Sequence, residues 1–269
     1  MNRRSIWAIV KKDLKEVLAN KMVVLPMVLV PAILCIVLPV VGTLAALGAD
    51  MSIINGSQFI ERLIPFYGVP EHIEGLSGKI LYIFLNYTFV PFFMLVPVMV
   101  TSVVSANSIV GEKERHTLET LLYTPVTNRE FLVAKMLTAL LPAVVVAIIS
   151  FVLFLVGANA VSFAMEGYMI VGSPIWIPAM LLLMPSVAGL GLSVGLLVSL
   201  KSKSFMGAQQ WAGILVLPIV ILVGVQVSGL LILRPIYIVI LAGVLFAITY
   251  VLISKIGPRF ERERVVSTL

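Results

Sequence analysis

The chain is 269 residues long, 60% hydrophobic and only 12% charged, with a mean hydropathy of +1.12. That apolar content exceeds the ~45–50% of ordinary globular domains, excludes a soluble enzyme fold and predicts an all-α integral membrane protein. The net charge of +6 would suit nucleic acid, but the cations flank apolar runs instead of lining one soluble face, so no nucleic-acid partner is expected.

Residues 1–21 form the first predicted unit. On a helix turning 100° per residue, Ile6, Trp7, Val10, Leu14, Val17 and Leu18 fall within an arc of about 120°, with Lys11, Lys12, Lys15 and Glu16 outside it. This predicts an amphipathic helix in the cytoplasmic interface, with Trp7 at headgroup depth and the lysines toward anionic membrane lipids. Asp13 falls on the edge of the apolar arc.

The second unit, 22–269, holds six apolar runs long enough to cross the ~30 Å hydrocarbon core as helices: about 22–47, 80–106, 129–156, 175–200, 205–231 and 235–255. The first is read as a retained span and not a leader, because it exceeds signal-peptide length and lacks a small-residue cleavage motif. Segments 1–21, 107–135, 201–204 and 255–269 hold sixteen Lys/Arg, whereas the opposite loops hold three, Arg62, Lys79 and Arg234. That asymmetry predicts a multi-pass plasma-membrane protein with both termini cytoplasmic. The outer loop 48–79 is too short and too rich in Gly and Pro for an independent domain, with FIERLIPFY as a short helix within it. Residues 157–174 are expected as a smaller outer loop.

Prolines 26, 31, 39, 91, 97, 142, 178, 185 and 218 punctuate the spans and predict kinks. Ionisable groups are absent from mid-span, which disfavours a proton-coupled carrier, and Lys135 is expected to snorkel to the interface. Uncharged polar residues do occur there. Asn86, Thr88, Ser193, Gln210 and Gln226 are candidates for a translocation path, against the alternative of interhelical hydrogen bonding. Gly191, Gly195 and Ser199 make a small-residue stripe suited to close packing within the chain.

No catalytic or metal site is expected. His72 and His116 fall on opposite sides of the membrane, Cys35 is the single cysteine, and no Ser/His or paired-carboxylate arrangement sits at membrane depth.

The most charged stretch is GEKERHTLETLLYTPVTNRE, residues 111–130, between spans two and three. Leu118, Leu121 and Leu122 give it a short apolar face, surrounded by Glu112, Glu114, Arg115 and Glu119 with Tyr123 at the far end. Pro125 stops the helix by pushing Thr124 out of the α region. Thr127 and Glu130 then fit a capping box, with Val126 and Phe131 as a hydrophobic staple. The pattern predicts a stiff cytoplasmic helix at about 111–124, suited to receiving a push from a soluble partner.

GEKERHTLETLLYTPVTNREFLVAKML resembles the signature between spans two and three of ABC-2 type transporter permeases. AQQ at 208–210 followed by Pro218 is similar to many members, and His116 stands where many relatives carry glycine. The resemblance implies the permease of an ABC exporter, itself not an enzyme, whose coupling helix meets a separate ATP-hydrolysing subunit. It implies two ATPase copies carrying ATP and Mg, and a second permease, identical or homologous. GLSGKI at 75–80 lacks the early Gly and the Ser/Thr of a phosphate-binding loop, and no cofactor is expected in this chain. The apolar spans suggest hydrophobic or amphipathic cargo. The alternatives are an ATPase-independent secondary carrier or channel, or a non-transporting membrane interaction factor.

Overall fold

The computed structural model describes residues 2–48, 64–114, 126–202 and 204–256. Among these the chain is helical, with no strand. Helix α1 is Arg3–Ala19, and Asn20 both ends it and starts the next helix. Its N–H donates back to the Glu16 and Val17 carbonyls while its side chain accepts from the Met22 N–H.

Helix α2 runs through Lys21–Ala32, a π-helical turn at Ile33–Val37, and Leu38–Gly48. Helix α3 comprises Leu76–Ile83, a π turn at Phe84–Thr88, and Phe89–Glu114. Helix α4 is Asn128–Glu166. Helix α5 joins Trp176–Pro178, a π turn at Ala179–Leu183, and Met184–Lys201. Helix α6 is Phe205–Ala212, a 3-10 turn at Gly213–Leu215, and Val216–Val227, and α7 is Pro235–Ile256. Helices α2 to α7 contain the six stretches long and apolar enough to cross a membrane, as the hydropathy predicts.

The third span is longer than expected. The 39 residues of α4 measure about 58 Å along the axis, well beyond the ~30 Å apolar core. Most of the expected outer loop 157–174 is therefore helix. Gly167, at φ +76°, ends it in the left-handed conformation that only glycine adopts without strain, and its N–H donates to the Phe163 carbonyl. Of the expected outer-loop helix, Ile64–Tyr67 forms a 3-10 turn, and residues 59–63 lie outside the described residues.

Helix α3 is the hub. In its apolar stretch 83% of residues are buried, against 12% in α6 and 17% in α7. Leu25, Val28, Ile148, Val152, Leu217, Ile221, Ile240 and Val244 stand exposed on α2, α4, α6 and α7, an apolar belt that water would not tolerate and lipid matches. The small-residue stripe of α5 packs on α3. A Cβ placed on Gly195 would lie 1.9 Å from Ser105 Oγ, and one on Gly191 3.2 Å from the Val98 Cα.

Three prolines coincide with widened helix. The π turns at 33–37, 84–88 and 179–183 each end just before Pro39, Pro91 or Pro185. A proline ring clashes with the carbonyl one turn back, and a wider turn relieves the clash. Pro91 also leaves the Tyr87 carbonyl without its usual donor, and the Gln226 Nε2 of α6 fills the vacancy at 2.7 Å.

Candidate functional site

The charged end of the bundle, where α1, the end of α3 and the start of α4 meet, holds a buried ionic junction. Lys135, fully buried, places its Nζ 2.8 Å from Asp13 Oδ2 and 2.9 Å from Glu112 Oε2. The same ammonium donates to the Ser108 carbonyl at 2.8 Å and lies 5.1 Å from the centroid of the Phe131 ring. Ser108 Oγ donates to Asp13 Oδ2 at 3.1 Å. Lys12, 41% exposed, reaches Glu112 Oε1 at 3.0 Å and Glu16 at 3.5 Å. Burial alone would lower the Lys12 ammonium, but Glu112, Asp13 and Glu16 outweigh it and hold it above its usual value. Lys12 thus stays charged throughout the physiological range.

Lys135 therefore does not snorkel. The expectation fails because α1 folds over that face of α4 and delivers Asp13, a partner 122 positions away in sequence. The apolar arc of α1 is divided for the same reason. Ile6, Ile9, Val10, Asp13 and Val17 are buried, whereas Trp7 and Leu18 stay exposed. The buried stripe is thus rotated toward Asp13, leaving Trp7 and Leu18 beside the exposed Lys11 and Lys15.

Both ends of α1 are also fastened. The Asn2 N–H donates to Glu130 Oε1 and Asn20 Nδ2 to Asn107 Oδ1. Glu130 belongs to the expected capping box, in which its N–H donates to Thr127 Oγ1 and its carboxylate accepts from the Thr127 N–H. Val126 and Phe131 both border the apolar cluster between α1 and α4.

Of the residues expected to meet a soluble partner, Glu112 faces inward and is 3% exposed. It sits in the last turn of α3, which continues unbroken to Glu114, so no separate helix begins at Gly111. Arg115, Leu118, Glu119, Leu121, Leu122 and Tyr123 lie outside the described residues.

The five polar candidates in the spans do not converge. Asn86 is fully buried near the opposite end, donating to the Tyr82 and Ile170 carbonyls and accepting from the Gly172 and Ser173 N–H groups. Asn159, on α4, makes a second clip, donating to the Val171 carbonyl and accepting its N–H. Thr88 and Ser193 are buried, with Ser193 Oγ donating to the Gly189 carbonyl. Gln226 is bonded to Tyr87, and Gln210 is exposed.

The interior beneath the Asn86 clip is filled by rings. Phe89 stacks on Phe154 with centroids 5.0 Å apart, and Trp176 meets Phe93 at 5.4 Å and Phe151 at 5.2 Å. An apolar crevice of about 190 Å³ opens between α3, α5, α6 and α7, lined by Met94, Val98, Leu190, Ile219, Leu222 and Leu245 among others.

Sequence reasoning missed Lys12, Asp13 and Lys135 as a group. The signal present was an acidic residue on an apolar arc and a lysine inside a span, each of which requires a partner when buried. Among known proteins, the sequence profile described as ABC-2 family transporter protein matches residues 7–234. No curated protein and no solved structure matches the chain.

Proposed function

The chain belongs to the ABC-2 family of transporter proteins, and from that premise we propose that it is the membrane permease of an exporter powered by a separate ATP-hydrolysing subunit. Two such subunits, carrying ATP and Mg, would act on a pair of permeases, identical or homologous. The charged end would face the cytoplasm of a plasma-membrane protein, with both termini on that side and α1 in the lipid interface.

The observation that carries this reading is the ionic junction. A push on residues 111–124 reaches α3 directly, because α3 runs unbroken to Glu114. Lys135 ties that end to α4, and Asp13 ties both to α1. Three helices thereby respond as one body, which a loop resting on lipid would not need. Leu118, Leu121 and Leu122 would seat in the ATPase, with Glu114, Arg115 and Glu119 setting orientation and Tyr123 at the contact edge. Glu112 acts from inside the junction.

The path is proposed to run between two permease chains. The aromatic packing around Phe89, Phe154 and Trp176 fills the interior of one chain, whereas α6 is largely uncovered and carries the exposed Gln210. The apolar lining of the crevice beside α6 supports hydrophobic or amphipathic cargo. Leu121→Asp in the purified complex tests the reading: substrate-linked ATP turnover falls to the basal level while the permease keeps its melting temperature. Unchanged coupling in that variant, or transport by the permease alone in ATP-free liposomes, contradicts it.

A further inference from the structure

We infer that the exposed face of α1 binds the headgroups of anionic phospholipid, and that lipid held there steadies the charged end of the bundle through the ties α1 makes to α3 and α4. The inference deepens the proposed function and rests on it only for placing α1 in the lipid interface. It names the lipid that α1 selects and the helices on which that lipid acts.

Placement comes from the two ends of the helix. Helix α1 is 17 residues long, about 26 Å. Asn2 fastens one end to Glu130, in the first turn of α4, and Asn20 fastens the other to Asn107, within about two turns of the end of α3. Both attachments belong to the charged end of the bundle. Helix α1 therefore runs across the other helices more than along them, as a helix lying in a membrane surface must. Its outer side continues into the apolar belt, because the exposed Leu18 is followed by the exposed Met22, Leu25 and Leu29 of α2.

Charge then selects the lipid. At 100° per residue, Trp7 and Leu18 follow the buried stripe of α1 past the half-buried Leu14, and Lys11, Arg4 and Lys15 occupy about the next 60°. The carboxylates of α1 are engaged elsewhere, Asp13 with Lys135 and Glu16 with Lys12. Among the described residues, Arg3, Arg4, Lys11 and Lys15 are exposed and enter no ion pair. An apolar edge flanked by unmatched cations suits acyl chains on one side and phosphate on the other. A soluble acidic partner would match the cations and leave Trp7 and Leu18 in water, whereas a zwitterionic lipid would match the apolar edge and leave the cations without counter-charge. Each cation close to an anionic leaflet strengthens the association roughly fivefold.

The opposite face of α1 carries the effect inward. It presents Asp13 to Lys135 of α4, while Lys12 reaches Glu112 of α3. Lipid that binds α1 in its docked position therefore stabilises the assembly of the three helices by mass action.

Two measurements on the permease alone decide it. In the first, bimane on Leu18→Cys in a Cys35→Ala background reports contact with lipid in phosphatidylcholine nanodiscs. A small fraction of doxyl-labelled phosphatidylglycerol quenches it several-fold more than the same fraction of doxyl-labelled phosphatidylcholine. Lys11→Gln/Lys15→Gln removes the preference, roughly fivefold for each cation lost, and Lys11→Arg/Lys15→Arg keeps it. Equal quenching by the two lipids in the parent overturns the selection of anionic lipid, and quenching by neither assigns the face to another partner and overturns the inference whole. In the second, which needs no label, the melting temperature rises with the fraction of phosphatidylglycerol in the parent and the arginine pair but not in the glutamine pair. The same rise in the glutamine pair overturns the steadying role of α1. Neither measurement involves an ATPase, so failure of the permease to capture one refutes the proposed function and leaves the lipid site to these results.

Discussion

Asn86 commits both amide hydrogens and both oxygen lone pairs to backbone groups, which is the full capacity of its side chain. Asn86→Ala strands the Ile170 carbonyl and the Gly172 and Ser173 N–H groups in the interior, at an expected cost on the order of 2–4 kcal/mol. Hydrogen exchange at the Gly172 and Ser173 amides should accelerate in the variant, and unchanged protection would refute the clip. Lys135→Met leaves Asp13 and Glu112 facing each other, and the expected loss is about 3–5 kcal/mol. Adding Asp13→Asn and Glu112→Gln should recover most of that loss in detergent unfolding, because the repulsion goes with the charges. The sequence showed that Asn86 and Asp13 were out of place in apolar surroundings. It could not show Ile170, Gly172, Ser173, Ser108 and Lys135 as their partners, which lie more than eighty positions away and are brought together only by helix packing.

Packing of α5 on α3 is where whole elements meet closest. Gly195→Ala drives a methyl against Ser105 Oγ, and overpacking of this kind costs roughly 1–3 kcal/mol. The double variant Gly195→Ala/Ser105→Ala removes the clashing hydroxyl and should regain part of the loss. Additive effects of the two substitutions in a thermal unfolding cycle would contradict the contact. The stripe itself was legible, because four-residue spacing is local, and so was the capping box of Thr127 and Glu130. Boundaries were less so. Helix α4 runs past the expected end to Glu166 because Asn159 and Ser162 are buried and bonded to the following segment, a use of polar residues that hydropathy counts as loop. The π turns were beyond reach for a related reason. Proline position predicts a disturbance, and packing against neighbouring helices decides whether the result is a kink or a widened turn.

At the scale of the molecule, one buried helix, α3, links the Asn86 clip at one end to the ionic junction at the other. The part of α3 next to Asn86 is packed with rings and its charged end with ion pairs. Aromatic packing is dense and unyielding, and the buried ion pairs hold α1, α3 and α4 together at the charged end. A push at the charged end is therefore expected to pass along α3 and α4 as rigid bodies. Composition and span count made the architecture plain from the sequence. The charged interruption did not reveal that α1 is tied to Glu112 and Glu130 at its two edges. Site-specific photo-crosslinking in cells from residue 123, with a benzophenone side chain replacing Tyr123, tests the coupling most directly. Capture of a nucleotide-binding polypeptide, with a yield that changes when vanadate traps the complex, is the predicted result. Capture of phospholipid alone, in every nucleotide state, would contradict it.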